Sequence, residues 1–514
     1  MFHTQTGDIF RWRRLAAACA AVAAIVAVPS TTFAEEAAVA AVVSESTPWV
    51  DLEAIAARDG VVPVIVTLRG QGRLRHELSE EVAQRQIKET RAVRASLDRE
   101  MKGKALLNLK TMDDMPLMAF TADASDLAVL RSSKHVVSVV LDESRPVPEI
   151  FAVEGSQAAG GPPAGGDVEV ASAPTATSSN GWTNQLGQWW DYYRIGVDKS
   201  VAAGYTGAGQ YVAVLDTGVD RFHSWLAGDV VAEACYAVPL SGYVPSCPNG
   251  RTSQIGAGAA RPCAWNGCAH GTHTAHTAAG AYGVAPGAKI IAVQVFHYEP
   301  ATATSAAGPR VWDSDLTWAM KFVYDLRTTY RIAAVNMSLG GGGYTAYCDS
   351  SFASTSDAGK VGGWINALTQ VGIAAVVSSG NDDYINAVGK PACFRNAVSV
   401  GNTTLTSTGV DAVFGNVAKA GSNSNSTLDL LAPGTDICSA VPNNGSNCGY
   451  VGTSMAAPHV AGAFAVLRQY RPAATVGQVV TALQRSGVAV TDSRNGITRS
   501  RINVWNALGT IYSV

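Results

Sequence analysis

The chain has 514 residues, of which 47% are hydrophobic and 15% charged, a composition that describes a folded globular protein and excludes a disordered one. Its 38 basic side chains against 41 acidic ones leave a net charge of −3, with no basic excess for nucleic acid and no polybasic membrane anchor. The length suits one large domain and one small one.

Residues 1–34 read as an export signal. Arg11, Arg13 and Arg14 form a basic region, residues 15–28 an apolar core, and Thr32-Phe33-Ala34 a small-residue cleavage site. The apolar core falls short of the roughly 20 residues that span a membrane. Later apolar runs are short and broken by glycine, so no membrane anchor is expected. Cys19 follows Arg14 too closely to be a lipid-attachment cysteine.

Residues 61–145 read as a separate small unit. Strands are predicted over 61–68, 118–121 and 136–141. A charged helix over 79–101 carries an apolar stripe of Val82, Ile87, Val93 and Leu97, and a second helix covers 124–132. This alternation predicts a small ferredoxin-like α/β sandwich. Residues 154–180, rich in Gly, Ala, Pro and Ser without periodicity, read as a flexible linker open to proteolysis, the linker segment as a whole spanning 150–182.

Beyond the linker, from 183 to 512, the pattern becomes that of a larger α/β domain. Apolar runs at 211–215, 290–295, 333–337 and 373–377 read as buried parallel strands. The first ends in Asp216-Thr217-Gly218. A helix from His270 to Gly280 opens with His270-Gly271-Thr272-His273-Thr274-Ala275-His276. The stretch Gly452-Thr453-Ser454-Met455-Ala456-Ala457-Pro458-His459 places Ser454 at the start of a helix running to Tyr470. Unpaired N–H groups and partial positive charge at that helix end favour negative charge developing beside the serine. A serine hydroxyl needs an adjacent base, usually histidine, and the histidine needs a carboxylate to fix its tautomer. Asp216, His270 and Ser454 are the candidates, in that chain order.

With these three motifs in this order, the chain resembles the subtilisin-family (subtilase) serine endopeptidases over roughly residues 183–512. Gly283-Val284-Ala285-Pro286-Gly287-Ala288 and Ser379-Gly380-Asn381 strengthen the resemblance. It implies a subtilisin-like α/β fold, a mostly parallel sheet with helices on both faces. It further implies a triad of Asp216, His270 and Ser454, an oxyanion-hole amide at Asn381, and a substrate-binding strand at Ser338, Leu339, Gly340 and Gly341. His273 and His459 stand where the family carries structural histidines; His223 and His297 read as surface or satisfied residues. His276 departs from the family's glycine. The resulting His270, His273, His276 series lacks the acid and spacing of a zincin helix, so no metal site is assigned there.

The N-terminal unit resembles the family's inhibitor propeptides, especially in Leu127-Ala128-Val129-Leu130 followed by Val136-Val137-Ser138-Val139. Such a propeptide would act as folding aid and intramolecular inhibitor, with maturation cutting between about residues 150 and 182. The competing reading is a permanent accessory domain.

Eight cysteines fall in the large domain, an even number that in an exported protein points to disulfides. Sequential pairing is expected, because short loops clip surface excursions: Cys235 with Cys247, Cys263 with Cys268, Cys348 with Cys393, and Cys438 with Cys448. Zinc is the alternative, but paired Cys-x-x-Cys sets are missing. The Gly340–Gly343 run has no following Gly-Lys-Ser/Thr and is no phosphate loop. The expectation is a secreted monomer acting on protein or peptide substrates. No cofactor is required for catalysis, and structural calcium is allowed although no loop shows a ligand pattern. Segments 338–341 and 378–381 hold no acidic residue, which predicts cleavage after apolar or aromatic residues. A non-catalytic binding protein on the same scaffold and an esterase with the same triad are the other readings.

Overall fold

A computed structural model describes residues 49–70, 78–146, 151–152, 189–237, 247–265, 267–299, 308–349, 357–406, 408–415 and 421–514. The expected signal (1–34) and the expected linker (150–182), apart from residues 151–152, lie outside the described residues. Among the described residues, no helix is long and apolar enough to cross a membrane.

The N-terminal unit runs α1 (Trp49–Asp59), β1 (Val62–Leu68), α2 (Glu80–Glu100), β2 (Leu107–Met112), β3 (Leu117–Ala122), α3 (Ala124–Ser132) and β4 (Val136–Leu141). Its sheet has the order β2-β3-β1-β4 with every pair antiparallel, so β1 to β4 form the expected β-α-β-β-α-β sandwich. Strand alternation gives the sheet two apolar faces. Val64, Val66, Met118 and Phe120 pack with Leu52, Leu97 and Leu127 of the unit's own helices. Ile65, Met112, Leu117, Ala119 and Val140 on the other face join the core of the large domain. Each of these side chains larger than alanine contributes about 1.5–3 kcal/mol when fully buried.

Three details differ from expectation. Helix α1 begins the unit earlier than residue 61, with Leu52 and Ala56 buried against it. The buried stripe of α2 is Ala83, Gln86, Thr90 and Leu97, while Val82, Ile87 and Val93 are half-buried. Gln86 enters because its Nε2 donates to Asp114 O at 2.6 Å. Strand β2 lacked any signal because its polarity is inverted: Leu107 and Leu109 are exposed while Lys110 and Met112 are buried.

After β4 come β5 (Ser144–Pro146) and β6 (Phe151–Ala152). The large domain then runs α4 (Trp190–Arg194), α5 (Val197–Ala202), β7 (Tyr211–Asp216), β8 (Val230–Tyr236), β9 (Ser253–Ile255), α6 (His270–Ala279), β10 (Lys289–Gln294), β11 (His297–Glu299), β12 (Gly308–Trp312) and α7 (Asp313–Leu326). It continues with β13 (Ile332–Met337), β14 (Gly341–Tyr344), α8 (Asp357–Gln370), β15 (Ala374–Ser378), β16 (Val388–Lys390), β17 (Ala397–Leu405), β18 (Asp411–Val413), β19 (Leu430–Pro433), β20 (Ile437–Val441) and β21 (Gly445–Val451). It closes with α9 (Thr453–Tyr470), α10 (Val476–Ser486), β22 (Val488–Thr491), β23 (Thr498–Arg501) and α11 (Val504–Thr510).

The central sheet has the order β22-β23-β19-β17-β15-β13-β7-β10-β8-β9, with β18 beside β17. Its inner pairs from β23 to β8 are all parallel. Such strands are buried on both faces, which explains their uninterrupted apolar runs. In β7, Val212 and Val214 share a core with Ala275 of α6 and Val460 and Phe464 of α9. Ala213 and Leu215 share the opposite core with Leu316 and Met320 of α7 and Val361 and Ile365 of α8. Helices thus cover both faces, as expected. All four disulfides take the sequential pairing, Cys235–Cys247, Cys263–Cys268, Cys348–Cys393 and Cys438–Cys448.

Candidate active site

The candidate residues gather where parallel strands end. Asp216 is the last residue of β7, Asn381 lies just past β15, His270 opens α6, and Ser454 stands in the first turn of α9. This is the crevice beyond the carboxyl ends of an α/β sheet.

Gly218 has φ +102°, and a Cβ there would lie 2.3 Å from Arg261 O, so only glycine completes the turn that leaves β7. Inside that turn, Asp216 Oδ1 accepts from Thr217 N at 2.7 Å and lies 2.7 Å from His270 Nδ1. Its Oδ2 accepts from Thr274 Oγ1 at 3.1 Å, one turn along α6. Asp216 and His270 are both buried. A carboxylate so held takes the Nδ1–H and leaves Nε2 as the bare, basic nitrogen. Among the described residues, His270 Nε2 is buried without a hydrogen-bond partner.

Two contacts fix how α6 and α9 run. The His273 ring stacks on Tyr450, just before α9, with centroids 4.5 Å apart. Further along both helices, Gly462 passes so close to Ala278 O that a Cβ would sit 2.5 Å from it. The contacts occur in the same order on both segments, so the two helices start at the same end of the packed pair. His270 and Ser454 occupy those starts.

Pro458 explains how Ser454 is held. Proline has no N–H, so the carbonyl four residues earlier, that of Ser454, loses its helical donor. Ser338 Oγ donates to that carbonyl at 2.7 Å and itself accepts from Asn336 Nδ2 at 3.0 Å. In return Ser454 Oγ donates to Ser338 O at 3.3 Å. In this state the hydroxyl is therefore turned to Ser338, and catalytic hydrogen bonds commonly tighten only with substrate bound.

Asn381 Oδ1 accepts from Thr453 N and Thr453 Oγ1, each at 2.9 Å. This turns Nδ2 toward Gly452, where an added Cβ would meet it at 2.9 Å. Gly452 has φ +152°, so a side chain there would be strained as well as crowded. Leu339 is buried, and its carbonyl accepts from Ser378 Oγ at 3.3 Å. Gly340 lies against Lys390 O, and Gly341 opens β14, pairing with Lys390 of β16.

The remaining histidines diverge. His273 Nε2 lies 3.1 Å from Ile437 O, and burial pushes its pKa down to about 3, so it is neutral. His276 Nδ1 lies 2.7 Å from Ser439 Oγ, and burial lowers its pKa well below the ordinary value. The three rings of the 270, 273, 276 series thus turn to three different partners. His459 bridges Met455 O and Asp191 Oδ2, each at 2.8 Å. His223 and His297 are buried and bonded, to Gly445 O and Glu299, rather than on the surface.

The profile of the subtilase family (Peptidase_S8) matches residues 207–501 of this sequence. The chain belongs to the subtilase family. An extracellular serine proteinase of Thermus sp. is 34% identical over 280 residues, 54% of this subtilase and 55% of that protein. Subtilisin E of Bacillus subtilis is 32% identical over 298 residues, 56% of this chain and 63% of its own. This subtilase thus spans between half and two thirds of the length of these relatives. The crystal structure of fervidolysin from Fervidobacterium pennivorans, a keratinolytic enzyme related to subtilisin, superposes with a TM-score of 0.59. At 21% identity it covers 87% of this chain and 61% of that one, a likeness of fold.

Thr274 and Thr453 were not singled out by sequence reasoning, and Ser338 was expected only in the substrate-binding strand, not as the donor to the carbonyl that Pro458 frees. Each is a hydroxyl that orients a neighbour, and only Pro458 inside a helical run signalled that a donor had to come from elsewhere.

Proposed function

We propose that this subtilase is a secreted serine endopeptidase, made as a self-inhibited precursor, that cuts proteins through Asp216, His270 and Ser454. The observation that carries the reading is the 2.7 Å contact of His270 Nδ1 with Asp216, which leaves Nε2 bare at the end of the α6–α9 pair where Ser454 also lies. The export signal and the extracellular relatives support secretion. Ser454 Oγ attacks the peptide carbonyl while His270 Nε2 takes its proton, and His270 then returns the proton to the leaving amine. Asp216 holds the tautomer and stabilises the imidazolium. Water repeats the sequence on the acyl-enzyme. Asn381 Nδ2 and the Ser454 N–H hold the oxyanion at the positive end of α9.

Replacing Asn381 by alanine is expected to lower kcat about 10²–10³-fold with little change in KM, the size seen for one such donor in a subtilisin. Hydrolysis of casein by the processed protein measures it. An unchanged kcat removes Asn381 from the oxyanion hole.

The path of the chain after β4 supports the precursor reading. Strand β5 pairs antiparallel with β12, and Glu143 just before it lies 3.9 Å from Lys390, whose carbonyl abuts Gly340. Strand β6 pairs with Tyr450 and Val451, just ahead of Ser454. The chain thus passes from the segment beside Lys390 and Gly340 to the segment just ahead of Ser454. The first maturation cut is accordingly expected between residues 146 and 152, at or just ahead of the start of the 150–182 window. N-terminal sequencing of freshly refolded enzyme checks this, and a first cut deep within 160–182 contradicts it.

A further inference from the structure

We infer that Glu299 is a specificity-determining residue, selecting a hydroxyl-bearing side chain, serine or threonine, at the substrate position that Ser144 now occupies. The inference rests on the endopeptidase reading and adds a subsite to it.

Strands β11, β12 and β5 form one three-stranded antiparallel sheet in which β12 is central. Trp312 faces Ser144 across the β12–β5 pair, and Arg310 faces Pro146. The first two strands belong to the large domain and the third to the chain that maturation removes. Once β5 leaves, β12 becomes a free edge, and an extended peptide adds to such an edge in the same antiparallel register. Its side chain opposite Trp312 then meets what Ser144 meets.

That partner is the Glu299 carboxylate. Ser144 Oγ donates to Glu299 Oε1 at 2.7 Å. Three further interactions hold the carboxylate in place. His297 Nε2 lies 3.0 Å from Oε1, and Arg310 Nε forms an ion pair with Oε2 at 2.8 Å. The buried His297 ring stacks on Trp312, with centroids 5.3 Å apart and planes within 4°. Burial by itself would raise the Glu299 pKa, but His297, Ser144 and Arg310 together bring it below the ordinary value. The group is therefore an ionised acceptor, fixed before substrate arrives. Its charge is already matched by Arg310, so what it lacks without Ser144 is one neutral donor. A hydroxyl supplies that donor. An alkyl group leaves a partly buried anionic oxygen unpaired, and a carboxylate adds repulsion.

The test uses synthetic peptides spanning residues 141–155 of this chain as substrates for the mature enzyme, with casein as control. Against the native peptide, Ser144→Ala is expected to lower kcat/KM about tenfold, Ser144→Asp further, and Ser144→Thr little. In the Glu299→Ala enzyme the native and Ser144→Ala peptides should be cut about equally, with Glu299→Gln intermediate. A ratio between two substrates on one enzyme is insensitive to a general loss of folded protein. If the wild type cuts casein and the peptides but shows no preference for serine, or if Glu299→Ala keeps that preference, the inference is overturned. If neither casein nor peptide is cut, the endopeptidase reading itself fails.

Discussion

Replacing Ser454 by alanine is expected to leave a folded, full-length precursor whose peptide hydrolysis has fallen about 10⁶-fold, the size seen when a subtilisin triad loses its nucleophile. The fold should be spared because the hydroxyl makes a single long hydrogen bond, 3.3 Å to Ser338 O, while the carbonyl that anchors the helix start belongs to the backbone. Alanine suits a helix better than serine does. The stability change should therefore stay within about 1 kcal/mol. Two readouts separate the proposed role from a structural one. Wild type should lose its N-terminal unit and take up a serine-directed fluorophosphonate, and the variant should do neither while melting at nearly the same temperature. Purified Ser454→Ala precursor that still cut itself at the wild-type rate would remove Ser454 from the reaction.

The parts of the molecule legible in its sequence share one property: local pattern and tertiary demand agree there. Strand β7 is apolar on both faces because helices cover both faces, and its run ends at the acid that approaches His270. Helices α6 and α9 start at the motif residues themselves. Where a second part of the chain supplies the partner, the pattern fails. Strand β2 turns two leucines to solvent and buries Lys110, because at that position its inner face meets the N-terminus of α7, while Met112 beside it meets hydrocarbon. Thr274 looks like any helical threonine until Asp216 is placed beside it. Glu299 carries no local signal, since Ser144 and Arg310, its donor and its cation, come from two other strands.

The inverted strand has a large consequence. Replacing Lys110 by methionine in the Ser454→Ala precursor is expected to cost about 3–5 kcal/mol of unfolding free energy, the penalty for breaking a buried pair and stranding its partner. The Lys110 ammonium is almost wholly buried. It donates to Ser314 Oγ at 2.8 Å and pairs with Asp315, whose side chain has no exposed surface. Asp142, just past β4, accepts from Ser314 N at 3.0 Å and from Ser314 Oγ at 2.5 Å. It thereby caps α7, whose own N-cap residue, Trp312, offers no side-chain acceptor. Lys110 is the cation that lets two carboxyl groups from different parts of the chain share this buried site. Methionine fills the space but removes the positive charge that faces both acids. A control is Lys104→Met: the ammonium is itself well exposed and so is Asp123, although Asp126 is buried, and its pairs should be worth no more than about 1 kcal/mol. The pH dependence carries a sign. Burial raises the Asp142 pKa, while Lys110 and Ser314 pull it back. A raised carboxyl contributes stability that is full below the ordinary carboxylate range and is lost as pH rises through the raised value. Removing Lys110 raises Asp142 further, so this share of the cost should be small in acid and grow toward neutrality. Denaturant unfolding of the two precursors at acid and neutral pH measures the difference. Equal stability at neutral pH would mean that hydrophobic contact alone holds the N-terminal sheet to α7.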